Sequence, residues 1–143
     1  MSQSHQPFIL YDNQIFDIQR FGGISRYFCE ILRRLNMKKD IAVRYSVNYY
    51  LTTYRLGKHR IPLPRFIFKH YRKQCQNQNK ELSKNLLQQS NKYLFHPTYY
   101  DPYFLKYIGS NPYVITVHDM IHERFPSYFS DASEIIAHKK EVI

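Results

Sequence analysis

Short apolar runs alternate with amphipathic helical stretches along this chain. Phe8–Tyr11 is an apolar run of strand length, and Ile41–Val47 alternates apolar with polar or small side chains. Between them, apolar residues recur at helical intervals over Ile24–Leu35, the pattern of an amphipathic helix. Tyr93–His96 and Tyr113–Val117 are two further apolar runs, the second rich in β-branched residues. This alternation predicts an α/β fold with a mainly parallel, doubly wound sheet.

The middle of the chain is more polar. Asn48–Pro64 is rich in tyrosine, basic residues and proline, which predicts a partly ordered loop. Pro64–Ser90 has apolar residues at helical spacing and neither proline nor glycine in its interior, so it is predicted to be helical. Gln76–Lys80 is entirely polar, and a break in the helix there is the alternative. Asp131 followed by an acid three residues later predicts the start of a last helix.

Two consecutive glycines, Gly22 and Gly23, lie where the loop after the first strand enters the first helix. They allow positive φ and leave no side chain over the backbone N–H groups. A helix N-terminus has unpaired N–H donors and partial positive charge, which suits an anion such as a diphosphate. The alternative is that the glycines only form a tight turn. A dinucleotide G-x-G-x-x-G turn is excluded, because the third glycine is lacking.

Histidines follow the last two predicted strands. His96 and His118 each lie where a strand ends, and ligand crevices of open α/β sheets form at the carboxyl ends of strands. The pair therefore predicts one shared cleft, while separate structural roles are the alternative. His118 and His122 are four residues apart, as in some helical metal sites. We predict no metal, because the apolar run places His118 at a strand end. A neutral histidine beside an acid is better suited to hydrogen bonding sugar hydroxyls or phosphate.

The charge balance is strongly basic, with a formal net charge of +10 from 21 Lys and Arg against 11 acids in 143 residues. Such a chain attracts polyanions, anionic lipid or phosphorylated ligands. Cations and aromatic residues interleave over Arg65–Lys73, which predicts contact with an anionic membrane surface. A solvated basic face over a core stripe is the alternative. The 14 tyrosines have rings with a polar tip, suited to lining a cleft.

Targeting and cysteine signals are weak. Met1–Gln6 is polar, and no apolar run approaches the roughly 20 residues that cross a bilayer, so we expect a soluble, cytoplasmic chain. Binding at the inner membrane face would make it peripheral. Cys29 and Cys75 form no C-x-x-C pattern, so neither zinc nor a disulfide is predicted and both thiols are expected to be reduced.

Four stretches now stand in an order that resembles a known family. They are Tyr11-Asp12 with Phe21–Tyr27, then Phe95–Tyr100, then Thr116–Glu123, then Phe125-Pro126. Over nearly its whole length the chain resembles the N-terminal, acceptor-side domain of family 4 glycosyltransferases. These are retaining, nucleotide-sugar-dependent enzymes whose GT-B fold has two Rossmann-like halves. The stretches around Gly22-Gly23 and His118-Asp119 are the specific part of the resemblance.

The resemblance implies roles for particular residues. Gly22 and Gly23 would form the loop at the donor diphosphate, and Arg26 would add charge there, with a helix-surface salt bridge as its alternative. His118 and Asp119 would face the transferred sugar as the catalytic pair. Neither a metal nor a cofactor is implied, because the nucleotide sugar is a substrate. The residues expected in the acceptor cleft are His96, Tyr99 and His122.

The resemblance also implies something missing. The C-terminal half, which binds the nucleotide sugar in this family, has no counterpart in residues 1–143, so a single N-terminal domain that is inactive alone is expected. The implied function is one half of an enzyme for cell-surface polysaccharide or glycolipid synthesis. Its implied partners are a sugar or glycolipid acceptor, an anionic membrane surface, and a separate donor-binding half or a second copy.

Two other functions compete with the enzyme half. The basic charge is consistent with a nucleic-acid-binding module, although the glycine loop and the acid of His118-Asp119 would then go unused. For that reason nucleic acid is not expected to be a binding partner. A non-catalytic domain that docks on a membrane surface or a partner protein is the third possibility.

Overall fold

The fold comes from a computed structural model that describes residues 7–51, 54, 56, 61, 62, 64–89 and 91–143. Met1–Gln6, much of the predicted loop and Ser90 lie outside the described residues. The strands and helices are β1 (Phe8–Tyr11), α1 (Gln14–Ile18), α2 (Gly23–Leu35), β2 (Ala42–Tyr45), β3 (Tyr49–Tyr50), β4 (Ile61–Pro62), α3 (Arg65–Leu87), β5 (Tyr93–His96), α4 (Ile121–Arg124) and α5 (Ala132–Val142). Two 3-10 turns cover Pro102–Lys106 and Pro126–Tyr128.

The main sheet has three parallel strands in the order β2-β1-β5. Tyr11 at the end of β1 lies opposite Tyr45 of β2 and His96 of β5, so the three strands end at one edge. The α/β class and the predicted strands at 8–11 and 93–96 are confirmed, and the strand predicted over 41–47 is present in shorter form as β2. β3 and β4 form a separate parallel pair.

The strand predicted over Tyr113–Val117 is wrong beyond its first residue. Phe95 donates its N–H to the Pro112 carbonyl (3.0 Å) and accepts the N–H of Val114 (2.9 Å), which forms a single parallel bridge at Tyr113. The next bond of a parallel ladder would need the N–H of residue 97. Pro97 has no N–H, so the ladder cannot continue.

Both faces of β1 are packed against apolar residues. Phe8 and Leu10 belong to one buried cluster, with Leu87 of α3 and Val142 of α5. Tyr11 belongs to a second cluster, whose other members include Phe28, Cys29 and Leu32 of α2. Successive strand residues point to opposite faces, so this division puts helices against each side of the strand.

The helices differ in how the sequence specifies them. α2 is predicted from its apolar stripe, in which Phe28 and Leu32 are buried and Tyr27 is exposed. Cys29, which lies outside that stripe, is buried as well. α3 runs unbroken for 23 residues through its polar middle, where the side chain of Asn79 is buried. α5 begins after Asp131, as predicted. Within the described part of the chain, no helix combines the length and apolar character needed to cross a membrane.

Candidate functional site

His96 and His118 meet at the carboxyl edge of the sheet. The Phe28 ring of α2 contacts both imidazoles, with ring centroids 5.3 Å from His96 and 5.7 Å from His118. Tyr27 packs edge-on against His118 at 5.4 Å, and Tyr11 lies 5.1 Å from His96. The two histidines are thus brought into one aromatic cluster with the N-terminal half of α2.

Burial keeps both imidazoles neutral at ordinary pH. Desolvation, helped by the proximity of His118, lowers the pKa of His96 to about 4. Desolvation also lowers the pKa of His118, although the Asp119 carboxylate opposes it. His96 Nε2 lies 2.9 Å from the hydroxyl of Thr116, and the backbone N–H of His118 donates to the Tyr100 hydroxyl (3.0 Å). A neutral imidazole can donate one hydrogen bond and accept another, which suits a hydroxyl ligand.

Asp119 contacts the start of α4 and a lysine of α5. Its carboxylate accepts the N–H of Ile121 (3.2 Å) at the start of α4, and lies 3.8 Å from Lys139 Nζ. Lys139 is buried, pairs with Glu123 at 3.2 Å and donates to the Asp119 carbonyl (3.0 Å). In this geometry Asp119 holds the loop after His118 in place, and its exposed side chain remains open to solvent.

The glycine loop is already occupied by a side chain of its own chain. Gln19 Oε1 accepts the backbone N–H of Ser25 (3.2 Å) in the first turn of α2. A Cβ at Gly22 would lie 2.5 Å from that oxygen, so the missing side chain makes room for Gln19. Gly22 does not use the left-handed conformation that a glycine allows, because its φ is 167°, an extended conformation. Gly23 is exposed and has open space at its Cβ position.

The remaining predicted site residues are dispersed. Arg26 lies on the exposed side of α2, in the first turn after the glycines. Tyr99 is half-buried with its ring 4.9 Å from that of Tyr100. His122 lies in α4, and its ring packs on that of Phe129 with the ring centroids 4.5 Å apart. Its buried Nδ1 has no hydrogen-bond partner among the described residues. His122 is therefore not part of the cluster around Phe28.

Buried acids that sequence reasoning did not assign lie beside the same edge. Asp12 is fully buried and accepts hydrogen bonds from the Thr98 N–H (2.8 Å) and the Tyr103 hydroxyl (3.2 Å). Desolvation raises the pKa of its carboxyl. Asp17 accepts from Asn79 Nδ2 (3.0 Å), and desolvation raises its pKa to about 7. The polar residues in the middle of α3 were the available sequence signal for these acids. Buried polar side chains in a helix need hydrogen-bond partners, and the acids supply them.

These buried polar groups fasten β1, α1 and α3 into one support for the edge. Asn13 connects them, because its amide donates to Asp17 and its Oδ1 accepts from the Ser83 hydroxyl of α3 (3.1 Å). Ser83 also pairs with Ser46, which follows β2. Such fully bonded networks make a region rigid, since each unpaired buried group would be costly.

The described residues contain no group of three or more His, Cys, Asp or Glu side chains placed to hold a metal ion. Of the residues that follow His118, Asp119 lies beside Lys139, and the His122 ring packs on Phe129. No family model matches this chain, and the searches of curated proteins and solved structures found no match either, so the resemblance in its motifs stays a prediction.

Proposed function

We propose that this chain is the N-terminal half of a retaining, nucleotide-sugar-dependent glycosyltransferase of the GT-B type. The observation that supports it most is the meeting of His118 with α2 at the carboxyl edge of a parallel sheet. Tyr27, one turn after the glycines, contacts the His118 ring at 5.4 Å. A sugar diphosphate held at the start of α2 would thereby lie near an imidazole that is neutral at pH 7.

The division of β1 side chains between two buried clusters is what a doubly wound, Rossmann-like half requires. In the proposed reaction an acceptor hydroxyl bonds to the anomeric carbon as the bond from that carbon to the diphosphate breaks, and the hydroxyl proton passes to the departing diphosphate. The diphosphate leaves toward the α2 N-terminus, where N–H dipoles offset its growing negative charge. Ser25 can contribute its N–H only after Gln19 withdraws. The neutral His118 imidazole hydrogen-bonds a hydroxyl of the transferred sugar.

Transfer activity tests this function. The chain alone is expected to neither hydrolyse nor transfer a nucleotide sugar, and to bind one with a Kd on the order of millimolar or weaker, because the nucleotide pocket belongs to the other half. Fusion to a family 4 donor-binding half should give transfer, since the reacting groups are then held in register. Robust transfer by the chain alone would contradict the half-enzyme proposal.

Histidine variants of that fusion test the site. His118→Ala should reduce turnover far more than His122→Ala. The His118 ring contacts Tyr27 near the start of α2, whereas the His122 ring packs on Phe129. Circular dichroism and thermal unfolding of both variants provide the control for folding. Equal losses of turnover in two folded variants would count against the assigned site.

A second candidate activity is docking on anionic membrane, supported by the exposed basic face of α3. Phe66 is 75% exposed, and Lys69, Arg72 and Lys73 are all exposed on the same helix. An exposed aromatic ring among cations suits the lipid headgroup region. A glycolipid acceptor would be presented at that surface.

Vesicle binding tests this second activity. Replacing Lys69, Arg72 and Lys73 by Gln should greatly weaken sedimentation with phosphatidylglycerol vesicles, since each cation near such a surface contributes about 1 kcal/mol. A matched control removes three exposed cations at the end of α2, namely Arg34, Lys38 and Lys39. Equal weakening by both triple variants would indicate net charge alone. Tight binding to nucleic acid at high salt, without vesicle preference, would favour the nucleic-acid alternative.

A further inference from the structure

A cavity of about 460 Å³ lies beside the aromatic cluster, between α1, the middle of α3, the segment after β5 and α5. We call it the α1–α3 cavity. Its volume falls within the range of roughly 300–1,000 Å³ typical of small-molecule sites. Because α1 follows β1 and the Tyr99–Tyr103 segment follows β5, the cavity lies at the carboxyl ends of two parallel strands.

The polar wall of this cavity is preorganised. Asp17 is only 2% exposed and lines the cavity while Asn13 and Asn79 donate to its carboxylate. Gln14 accepts the N–H of Asp101 (2.8 Å) and donates to the Asp101 carbonyl (3.2 Å), which fixes the segment after β5. Side chains held in this way present hydrogen-bonding groups at fixed positions, and little entropy is lost when a ligand arrives.

The charges on the wall nearly balance. Lys80 lies 4.0 Å from the Asp101 carboxylate and 5.4 Å from the centre of the Tyr103 ring. Burial raises the pKa of Asp17 to about 7, so this acid is only partly charged at neutral pH, and the imidazole of His138 also lines the cavity. A phosphate would find its best cation already paired and a carboxylate nearby. The wall therefore favours an uncharged ligand over an anion.

Aromatic rings supply the rest of the wall. Tyr99, Tyr100 and Tyr103 line the cavity, and the Tyr100 hydroxyl accepts the backbone N–H of His118 (3.0 Å). Tyrosine rings pack on apolar C–H faces and their hydroxyls still bond to polar groups. Amides, a carboxylate and flat rings together match a cyclic ligand with C–H faces and many hydroxyls. Through Tyr100 such a ligand would sit next to the segment that bears His118.

We propose that the α1–α3 cavity binds an uncharged, hydroxyl-rich ring of monosaccharide size. Binding follows from the cavity itself, and only the ring's role, as part of the acceptor, rests on the proposed glycosyltransferase function. The side-chain amides of Gln76 and Asn77 and the Asp101 carboxylate bond the ring hydroxyls, and Tyr99 and Tyr100 cover its C–H face. The closing experiment separates binding from transfer.

Saturation-transfer difference NMR on the whole chain tests the proposal, with a panel of neutral hexoses, hexose phosphates and inorganic phosphate. At least one neutral hexose should gain saturation on its ring protons, and the charged probes should not compete with it. No saturation of any neutral hexose at tens of millimolar (roughly the weakest affinity of use) would overturn the proposal. Preference for the phosphates would overturn it as well.

Variants locate the binding. Gln76→Leu removes an amide from the cavity wall and should weaken the hexose about fivefold, the usual effect of one hydrogen bond. Gln78→Leu, also on α3 but outside the cavity, is the matched control. Ile135→Trp should block the cavity and abolish saturation while the amide spectrum stays folded. Unchanged saturation in both cavity variants would place the sugar elsewhere and overturn the proposal.

The proposed function can fail separately. If a completed fusion enzyme transfers no sugar while the chain binds hexose at this cavity, the transferase proposal fails and the binding proposal stands. If transfer occurs but Ile135→Trp leaves it and the hexose signal unchanged, the binding proposal fails instead.

Discussion

Individual buried ionisable residues at the sheet edge respond to pH in opposite directions. The lowered pKa of His96 means that the unfolded chain binds a proton near pH 6.5 which the folded chain accepts only near pH 4. Folding stability from this residue is therefore present above pH 6.5 and is lost as pH falls toward 4. Asp17 has a raised pKa, so its proton is retained on folding and stability declines as pH rises from about 3.8 to about 7.

His96 gives the more direct prediction. Its imidazole should remain neutral down to about pH 4 in an NMR titration, because the ring is buried beside Phe28 and Tyr11. In His118→Ala the pKa of His96 should rise part of the way toward 6.5, because the repulsion between the two imidazolium charges is removed. Titration of His96 near 6.5 in the unmodified chain would show that the ring is not enclosed by the cluster.

At the scale of elements, the start of α2 depends on Gln19 and Gly22 together. Gln19 satisfies the Ser25 N–H from outside the helix, as a capping side chain does. The space it uses exists only because residue 22 lacks a Cβ. The same pair thus controls access to the N–H groups that the proposed diphosphate would use.

A double-mutant cycle tests this dependence. Gln19→Ala should lower the free energy of unfolding by about 1 kcal/mol, the usual loss for a helix cap. Gly22→Ala should be more destabilising in the unmodified chain than in the Gln19→Ala background, because the clash exists only with the amide present. Gln78→Ala, an exposed glutamine of α3, is the control. Additive effects in urea denaturation would mean that the amide does not occupy this space.

How far the elements could be predicted depended on whether their apolar pattern was local. β1, α2 and β5 were all predicted, because the apolar residues along each of them already form one packing surface within its own sequence. α1 was missed, because five residues with Asp17 buried among them make no amphipathic period. The Tyr113–Val117 run has the composition of a strand, but Pro97, directly after β5, cannot donate the next hydrogen bond of the ladder. The run itself does not reveal which residues will lie beside it.

The candidate site was predicted in the same uneven way. That His96 and His118 follow successive apolar runs was visible. The end of β5 and the segment that follows the Tyr113 bridge bring their rings to Phe28. The attachment of Asp119 to Lys139 was not visible, because these residues are brought together by the packing of α5 on α4. Gln19 was missed for the opposite reason. Its contact is local, but no common motif places a glutamine amide over a glycine.

For the molecule as a whole, charge and exposed apolar surface act against each other. The net charge is +10, and like charges keep molecules apart at low ionic strength. Beyond Tyr113, Val114 and Val117 are 44% and 40% exposed in a segment without regular secondary structure, and Tyr128 in the turn after α4 is 81% exposed. Among the described residues, no strand pairs with the outer side of this segment, which is the side away from β5.

That outer side has consequences for handling the protein. An exposed apolar segment beside a sheet, with backbone groups that no strand pairs, can recruit strands from other molecules, and the net charge opposes this. Added NaCl shortens the range of repulsion from about 30 Å at 0.01 M to about 8 Å at 0.15 M. Turbidity and light scattering should therefore rise with salt. Val114→Lys should delay that rise, and Met37→Lys, which adds the same charge at the exposed end of α2, should delay it much less. Equal delays would assign the solubility of this chain to charge alone, and unequal delays would identify the edge as the seed of its precipitation.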